Sequence, residues 1–345
     1  MKYRLAINGY GRIGRNILRA FYERPELQKI FDIVAINEPA DIGTMAYLTR
    51  FDSVHGRFPG KVSYTDNRLL INNHSVVISH VGDPDELNWH DLNIDLLLEC
   101  SGTFKSCSTA QHYLDAGPRR LLFSQPAEAN VDKTIIFGCN DHLLTAKDYI
   151  VSNGSCTTNC IIPILMLLHK HFKIEKGVTT TIHSAMNDQP VIDAYHNTNL
   201  RLTRASMQAV IPVETKLSKG IERILPELEG RFCSVAIRVP TINVSLIDLT
   251  VHLATNTDRK QINNLFRNAA QCDTNQSVMG YTDEPHASVD FSHDEHSVII
   301  DGTQTQVSNG SLVKIICWFD NEWAFSNRML DTARVWLEKC CNSMF

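Results

Sequence analysis

The chain has 345 residues, of which 43% are hydrophobic and 21% are charged, and its formal net charge is −5. This length favours two domains over one, and the balance of apolar and charged residues is typical of a globular protein. No run of about eighteen apolar residues, no basic stripe and no secretion signal is found, so we expect no membrane span, no nucleic-acid partner and a cytoplasmic location.

The ten cysteines are scattered along the chain, and no two of them form a CxxC pair. In a chain without a secretion signal, this usage predicts free thiols rather than a disulfide framework. We expect no metal site, since the spacing of a structural zinc site is missing.

The first half of the chain alternates strand and helix patterns. Residues 3–8 form an apolar strand, residues 13–23 have apolar side chains at helical spacing, and residues 31–37 form a second strand. Strands separated by a helix predict a βαβ unit and a buried parallel sheet. Further strand candidates are residues 69–71, 76–79, 96–99, 120–123 and 134–137.

After Ser155 the pattern changes, because strand-like stretches outnumber helices and several of them alternate apolar and polar residues. The predicted strands are residues 177–183, 234–238, 244–253, 298–301 and 312–318. The fold class is therefore α/β: a Rossmann-type doubly wound parallel sheet in residues 1–155, followed by an α+β catalytic domain with a mixed, largely antiparallel sheet in residues 156–322. An amphipathic helix over 323–337 is expected within a C-terminal segment, 323–345, that packs back on the first domain.

The long polar stretch 188–204 is the kind of loop that often has a function.

A glycine-rich turn joins the first strand to the first helix. Gly9, Gly11 and Gly14 form a GxGxxG pattern, in which the first glycine permits a tight turn, the second lets a pyrophosphate approach and the third allows close packing of helix and strand. The helix N-terminus then supplies N–H groups for the phosphates. A glycine-rich turn without a ligand is the alternative, and the strand–turn–helix context argues against it.

The second strand ends at Asn37, and Glu38 follows it. An acidic residue at this place accepts hydrogen bonds from ribose hydroxyls and repels a 2′-phosphate, which favours NAD over NADP. The alternative for Glu38 is a solvated loop charge.

Cys156 lies between a short apolar strand and an apolar helix. Oriented N–H groups at a helix start stabilise a thiolate, so we expect a lowered pKa for this thiol. Pro163 predicts either a kink or a later start of the helix. For Cys160 we favour the role of a small buried hydrophobic residue.

A reactive thiol needs a base, and His183 at the end of a predicted strand is the candidate. Among fourteen histidines, spacing alone favours a structural role for this one.

Four motifs in the same chain resemble the glyceraldehyde-3-phosphate dehydrogenase superfamily, in order and spacing across nearly the whole sequence. They are NGYGRIGR at residues 8–15, SCTTNC at 155–160, RVPTINVS at 238–245 and WFDNEW at 318–323.

Within that superfamily the chain is most similar to the D-erythrose-4-phosphate dehydrogenases. Stretches at residues 183–189, 211–217, 289–294 and 301–305 carry this similarity. The phosphorylating enzymes of glycolysis typically have threonine where Met186 stands and a threonine–glycine pair where Thr215 and Lys216 stand. Both positions belong to phosphate-holding segments of the family.

The resemblance implies roles for particular residues. It pairs His183 with Cys156 in catalysis and assigns Asn321 to the nicotinamide amide. It places Arg12, Ile13, Ser101 and Ser124 along the cofactor, in addition to the three glycines and Glu38. The implied substrate-binding residues are Ser155, Thr157, Arg201, Thr215 and Arg238. Leu202 departs from the family, which often has a second arginine there.

The activity implied by the resemblance is NAD-dependent oxidation of D-erythrose 4-phosphate to 4-phosphoerythronate, through a thioester on Cys156, for pyridoxal phosphate biosynthesis. The alternative is the phosphorylating glyceraldehyde-3-phosphate dehydrogenase of glycolysis, in which inorganic phosphate attacks the thioester. A non-catalytic NAD-binding protein is a third hypothesis, against which the set of Cys156, His183 and Asn321 argues. The resemblance further implies a phosphorylated sugar aldehyde as partner and a homotetramer.

Overall fold

A computed structural model describes residues 2–196, 199–272 and 277–342. Within these ranges the chain divides into two compact units, one formed by Met1–Ser155 with Phe325–Phe345 and the other by Cys156–Ala324. Residues 197 and 198 of the predicted polar loop, and residues 343–345 of the predicted C-terminal segment, lie outside the described residues.

The first unit begins with strands and helices in alternation. In chain order its elements are β1 (Tyr3–Asn8), α1 (Arg12–Glu23), β2 (Phe31–Asn37), α2 (Ile42–Arg50), β3 (Phe51–Asp52), β4 (Gly56–Arg57), β5 (Val62–Thr65), β6 (Arg68–Ile71), β7 (His74–Ser79), β8 (Leu96–Glu99), α3 (Cys107–Asp115), β9 (Leu121–Phe123), β10 (Lys133–Thr134) and β11 (Ile150–Ser152).

Nine of these strands, among the residues described, form one sheet in the order β10-β11-β9-β8-β1-β2-β7-β6-β5. The seven strands from β10 to β7 pair in parallel, whereas β5 and β6 add an antiparallel edge. Both β8 and β9 are buried along their whole length, and apart from the terminal Glu99 their residues are apolar. The sequence β7-β2-β1-β8-β9-β11 has the strand order of a Rossmann fold, with its switch point between β1 and β8.

The second unit contains the elements of a mixed sheet. In chain order they are α4 (Cys156–Phe172), β12 (Ile174–His183), β13 (Ile211–Val213), α5 (Leu217–Ile224), β14 (Phe232–Arg238), β15 (Ser245–Leu253), α6 (Arg259–Ala270), β16 (Met279–Thr282), β17 (Val298–Ser308) and β18 (Leu312–Phe319). The last helix is α7 (Trp323–Asn342).

The sheet of the second unit has the order β13-β14-β12-β15-β18-β17-β16. Its β12–β14 and β16–β17 pairings are parallel, and the other four are antiparallel. Every second residue of β15 is buried, as expected for a strand with one face on the core. The predicted fold class, a Rossmann-type sheet followed by a mixed, largely antiparallel one, is confirmed.

The C-terminal part of α7 belongs to the first unit. The Trp336 indole donates to the Thr145 carbonyl at 3.2 Å, and the Thr332 hydroxyl donates to Asn153 Oδ1 at 2.8 Å. Asp331 forms an ion pair with Arg24 at 2.9 Å. These contacts attach the end of the chain to residues of the first unit.

One prediction about local structure is wrong, and one of the two outcomes expected for Pro163 is excluded. Residues 135–137 do not continue the strand that begins at Lys133, because the side chain of Asn140 accepts from the Ile136 amide and donates to the Thr134 carbonyl, which turns the chain there. The helix after Cys156 does not start beyond Pro163. It begins at Cys156, since burial of its apolar side chains on both sides of Pro163 outweighs the hydrogen bond that proline cannot make.

No helix among the residues that the structure describes is long and apolar enough to cross a bilayer.

Candidate functional site

The glycines of the first turn occupy the positions that a dinucleotide fold requires. Gly9 has a φ of +83°, and a Cβ on it would lie 2.5 Å from the backbone of Ser101. A Cβ on Gly14 would lie 2.1 Å from the carbonyl oxygen of Gly9, so helix and turn can pack only without a side chain there. A Cβ on Gly11, in contrast, would meet no atom within 4 Å. Gly11 therefore faces open space that a ligand can use.

A cavity of about 280 Å³ lies at the switch point of this sheet. Glu38 lines it, and its carboxylate accepts a hydrogen bond from the Tyr10 amide at 2.7 Å. The other lining residues come from the ends of β1, β2 and β8 and the segments after them: Asn8, Gly9, Gly11, Asn37, Pro39, Val81, Gly82, Cys100, Ser101, Thr103, Phe104 and Tyr113. The predicted residues Gly9, Gly11, Glu38 and Ser101 are thus brought together around one cavity.

A buried carboxyl group that sequence reasoning missed holds two of the residues that line this cavity. Glu99 is fully buried, and it accepts hydrogen bonds from the Asn8 side chain and from the amide of Ser101. Burial raises the pKa of the Glu99 carboxyl, although these hydrogen bonds oppose the shift. An acidic residue that ends an apolar strand, as in Leu96–Glu99, is the signal that could have found it.

The predicted cofactor residues Arg12, Ile13 and Ser124 are not among the residues that line this cavity. The Arg12 guanidinium, at the first residue of α1, forms an ion pair with Asp52, so its side chain is already engaged within the protein. Ile13 follows it on α1. Ser124 directly follows β9, and its amide donates to the Glu99 carbonyl at 2.9 Å.

In the second unit, the predicted pair of thiol and base is in contact. Cys156 is the first residue of α4 and His183 the last residue of β12, and Sγ lies 3.8 Å from Nε2. The other ring nitrogen, Nδ1, is 2.8 Å from the carbonyl oxygen of Ser184 and donates to it. Because Nδ1 therefore carries the proton of the neutral ring, Nε2 is the acceptor that faces the thiol.

The expected lowering of the Cys156 pKa is wrong. Burial raises the pKa of this thiol to about 11, although the Thr157 and Cys156 amides and the charge of Arg238 oppose the shift. Burial also lowers the pKa of His183. Burial thus disfavours the charged form of each group, so a thiolate at this position requires proton transfer within the pair. The attraction between the two new charges, about 4 kcal/mol at 4 Å and an effective dielectric constant of 20, offsets part of the cost of this transfer.

Asn321 is held by two serines that sequence reasoning did not single out. The hydroxyls of Ser184 and Ser245 donate to its Oδ1 at 3.0 and 2.9 Å. Because Oδ1 already accepts two hydrogen bonds, the Nδ2 group of Asn321 is the part of the side-chain amide that can donate to a ligand. No single-sequence signal distinguishes these serines from others.

Three of the predicted substrate-binding residues lie next to Cys156 or His183 in the chain or in the sheet, and the other two make hydrogen bonds to other residues. Arg238 ends β14, and the register of the parallel strands puts it beside His183. Thr157 is the second residue of α4, and Ser155 directly precedes Cys156. Arg201 donates to the Pro212 carbonyl at 3.4 Å, and the Thr215 hydroxyl accepts from the Leu217 amide at 3.2 Å.

All ten cysteines of the chain lie within the described ranges and are free thiols, as predicted. Cys160 is fully buried, and its sulfur lies 3.7 Å from that of Cys317.

The glycine geometry predicts different outcomes for two small substitutions. We expect Gly11→Ala to weaken NAD binding by tenfold or more, on the order of 1.4 kcal/mol, because its methyl group enters ligand space. Its Tm should be close to that of the original protein. Gly14→Ala should lower the stability by about 1–3 kcal/mol through overpacking, which is a fall in Tm of several degrees.

Calorimetric NAD titration and thermal unfolding of both variants test this pair. Unchanged NAD affinity in Gly11→Ala would contradict the assignment of this space to the cofactor.

Proton transfer within the Cys156–His183 pair predicts a pH effect. In His183→Asn the thiol retains its raised pKa with no imidazole to accept the proton. Alkylation of Cys156 by iodoacetamide at neutral pH should therefore slow by roughly tenfold or more, and recover as the pH rises toward 11. Mass spectrometry of the Cys156 peptide measures this rate, and the exposed thiol of Cys233 is the internal control. Identical pH profiles in both proteins would show that the imidazole does not activate the thiol.

Comparison with known protein families accounts for both units. The model of the NAD binding domain of glyceraldehyde 3-phosphate dehydrogenase matches residues 3–107, and that of the C-terminal domain of the same enzyme matches residues 155–321. Together the two matches cover more than half of the chain. They indicate NAD as the cofactor and an NAD-dependent oxidoreductase that acts on a phosphorylated aldehyde. The chain belongs to the glyceraldehyde-3-phosphate dehydrogenase superfamily.

Proposed function

We propose that this protein oxidises D-erythrose 4-phosphate to 4-phosphoerythronate with NAD⁺, by way of a thioester on Cys156. The observation that carries the chemistry is the contact between Cys156 Sγ and the unprotonated Nε2 of His183. A thiol beside a correctly oriented base is the arrangement of covalent catalysis at a carbonyl carbon.

The fit of the cofactor rests on the first unit. Open space at Gly11, the Glu38 carboxylate and the cavity at the switch point suit a dinucleotide with free ribose hydroxyls. When bound, NAD⁺ supplies the two-electron acceptor for aldehyde oxidation.

The residues of the second unit support a sequence of proton movements. Nε2 of His183 takes the Sγ proton of Cys156, and the thiolate attacks the aldehyde carbon to form a hemithioacetal. The Cys156 amide and the protonated imidazole donate to the oxygen that becomes negative. The imidazolium gives its proton to that oxygen, which becomes the hemithioacetal hydroxyl, takes the proton back as the carbon is oxidised to the thioester, and then releases it to solvent. Water, deprotonated by the imidazole, releases the acid and restores the thiol.

The preference for erythrose 4-phosphate rests on the segments where the family holds phosphate. Met186, whose side chain is 45% exposed, offers no hydroxyl where the phosphorylating enzymes have threonine. Lys216 stands in place of a glycine at the start of α5. These changes support release of the thioester by water rather than by inorganic phosphate.

One steady-state experiment tests the proposal. NADH formation is measured with D-erythrose 4-phosphate and with glyceraldehyde 3-phosphate, each with and without inorganic phosphate. We expect turnover of the erythrose compound to be independent of phosphate and to have the higher kcat/KM. Loss of the general base in His183→Asn should slow acylation by roughly 10²–10⁴-fold, and Cys156→Ala should abolish it.

Strict dependence on phosphate with preference for glyceraldehyde 3-phosphate would instead identify the glycolytic reaction. NADH formation by Cys156→Ala at a near-normal rate would contradict the thioester route altogether.

We further propose that the protein is a homotetramer. The segment after β12 exposes large apolar side chains, among which Val191 and Ile192 are 76% exposed and Tyr195 is fully exposed. Such a cluster is typical of a surface that another chain covers. The family resemblance supports a second copy of this chain as that partner.

Sedimentation velocity tests the assembly. We expect a species of four chains for the original protein and smaller species for Ile192→Asp, because a buried unpaired carboxylate is costly. Val289→Asp is the matched control, since Val289 is 71% exposed and lies outside this segment. A monomer at micromolar concentration would contradict the tetramer.

A further inference from the structure

The arginine that the family resemblance assigns to substrate phosphate is paired with a carboxylate of its own chain. Nη1 of Arg238 lies 2.7 Å from Oδ1 of Asp188, and Nη2 lies 3.4 Å from Oδ2. Two N–H groups thus face two carboxylate oxygens, which is the fork geometry that arginine also offers to a phosphate. Asp188 therefore occupies the face of Arg238 that a phosphoryl group would use.

This ion pair lies beside the reactive groups. Arg238 is opposite His183 in the β12–β14 ladder, and the Val239 amide donates to the His183 carbonyl at 3.0 Å. The charges of Arg238 and Asp188 both act on the His183 imidazole, in addition to the larger effect of burial on its pKa. An anionic group of a substrate attached to Cys156 is therefore within electrostatic range of this pair.

The two partners differ in how firmly they are held. The Arg238 side chain is 12% exposed and also donates to Oε1 of the buried Gln189 at 3.0 Å. Gln189 itself accepts from the Met186 amide at 3.1 Å. Asp188 is 44% exposed, and its side chain contacts only Arg238 among the hydrogen bonds of the described residues. The carboxylate can leave while Gln189 keeps the guanidinium in place.

A second observation points to a ligand at this fork. Nε2 of Gln189 is buried and has no hydrogen-bond partner within the described ranges. A buried donor without a partner costs about 1–3 kcal/mol, and an oxygen-rich anion at the fork would supply an acceptor.

We propose that Asp188 is an internal competitor for Arg238, which the phosphate of the substrate must displace, and that it thereby sets the affinity for the phosphoryl group. This proposal rests on the proposed function for the identity of the substrate. A phosphate dianion and the Asp188 carboxylate cannot share the fork, because their like charges repel at hydrogen-bonding distance. Aldehydes without a phosphate leave the Arg238–Asp188 ion pair intact, so Arg238 does not increase their binding affinity.

The direct test uses sulfate as the dianion and the whole protein without substrate. In Asp188→Asn, sulfate should bind about tenfold more tightly than in the original protein by calorimetry. Asp188→Glu, which retains the charge, is the matched control and should resemble the original. Arg238→Met should abolish the sulfate binding that Asp188→Asn strengthens. Equal or weaker sulfate binding by Asp188→Asn would overturn the proposal.

A kinetic test separates this proposal from the proposed function. In Asp188→Asn the KM for D-erythrose 4-phosphate should fall, whereas the KM for unphosphorylated D-erythrose should not change. If neither aldehyde is oxidised, the proposed function fails while the sulfate result still decides the role of Asp188. If both are oxidised and their KM ratio is unaltered, the competitor role fails and the dehydrogenase function remains.

Discussion

The contact between Cys156 Sγ and His183 Nε2, 3.8 Å long, is the interaction on which the proposed chemistry of this protein depends. Burial disfavours a charge on either group alone, so only a proton passed from one to the other makes the nucleophile. The Ser184 carbonyl makes this transfer possible, because it binds the Nδ1 proton and leaves Nε2 free to accept. A backbone group thus selects the tautomer that the proposed catalysis needs.

The surroundings of this pair are arranged by the mixed sheet of the second unit. Its β12 and β14 end side by side, which places His183 and Arg238 next to each other, and the loop after β12 returns Asp188 and Gln189 to the guanidinium. The positive charge of Arg238 is neutralised by Asp188 of the same chain, and in our proposal the phosphate of the substrate takes the place of the Asp188 carboxylate. The affinity for the phosphoryl group is then a difference between two ion pairs rather than the strength of one.

Much of the fold was predictable from the sequence because buried parallel strands and half-buried antiparallel strands have different patterns. The apolar run at residues 96–98 is typical of a buried parallel strand, and the alternation along Ser245–Leu253 is typical of a half-buried antiparallel strand. The strand predicted for residues 134–137 was wrong because the Asn140 side chain turns the chain there, and the packing of a whole helix excludes the later helix start that was one of two outcomes expected for Pro163. The local propensity of a residue does not include hydrogen bonds to other segments or the packing of a whole helix.

The sequence by itself determined the glycine turn and the type of cofactor, and it singled out Cys156 as the candidate nucleophile, because each depends on residue identities a few positions apart. Residue spacing did not decide which of fourteen histidines meets Cys156; the family resemblance pointed to His183, and the tertiary structure brings the two into contact. Only the tertiary structure decided which serines hold Asn321 and that Asp188 pairs with Arg238. It also reversed the expected direction of the Cys156 pKa shift, since a helix N-terminus can be recognised in the sequence whereas the depth of burial cannot. The physical reason is that burial and pairing across strands depend on residues far apart in the chain, which meet only when the sheet forms.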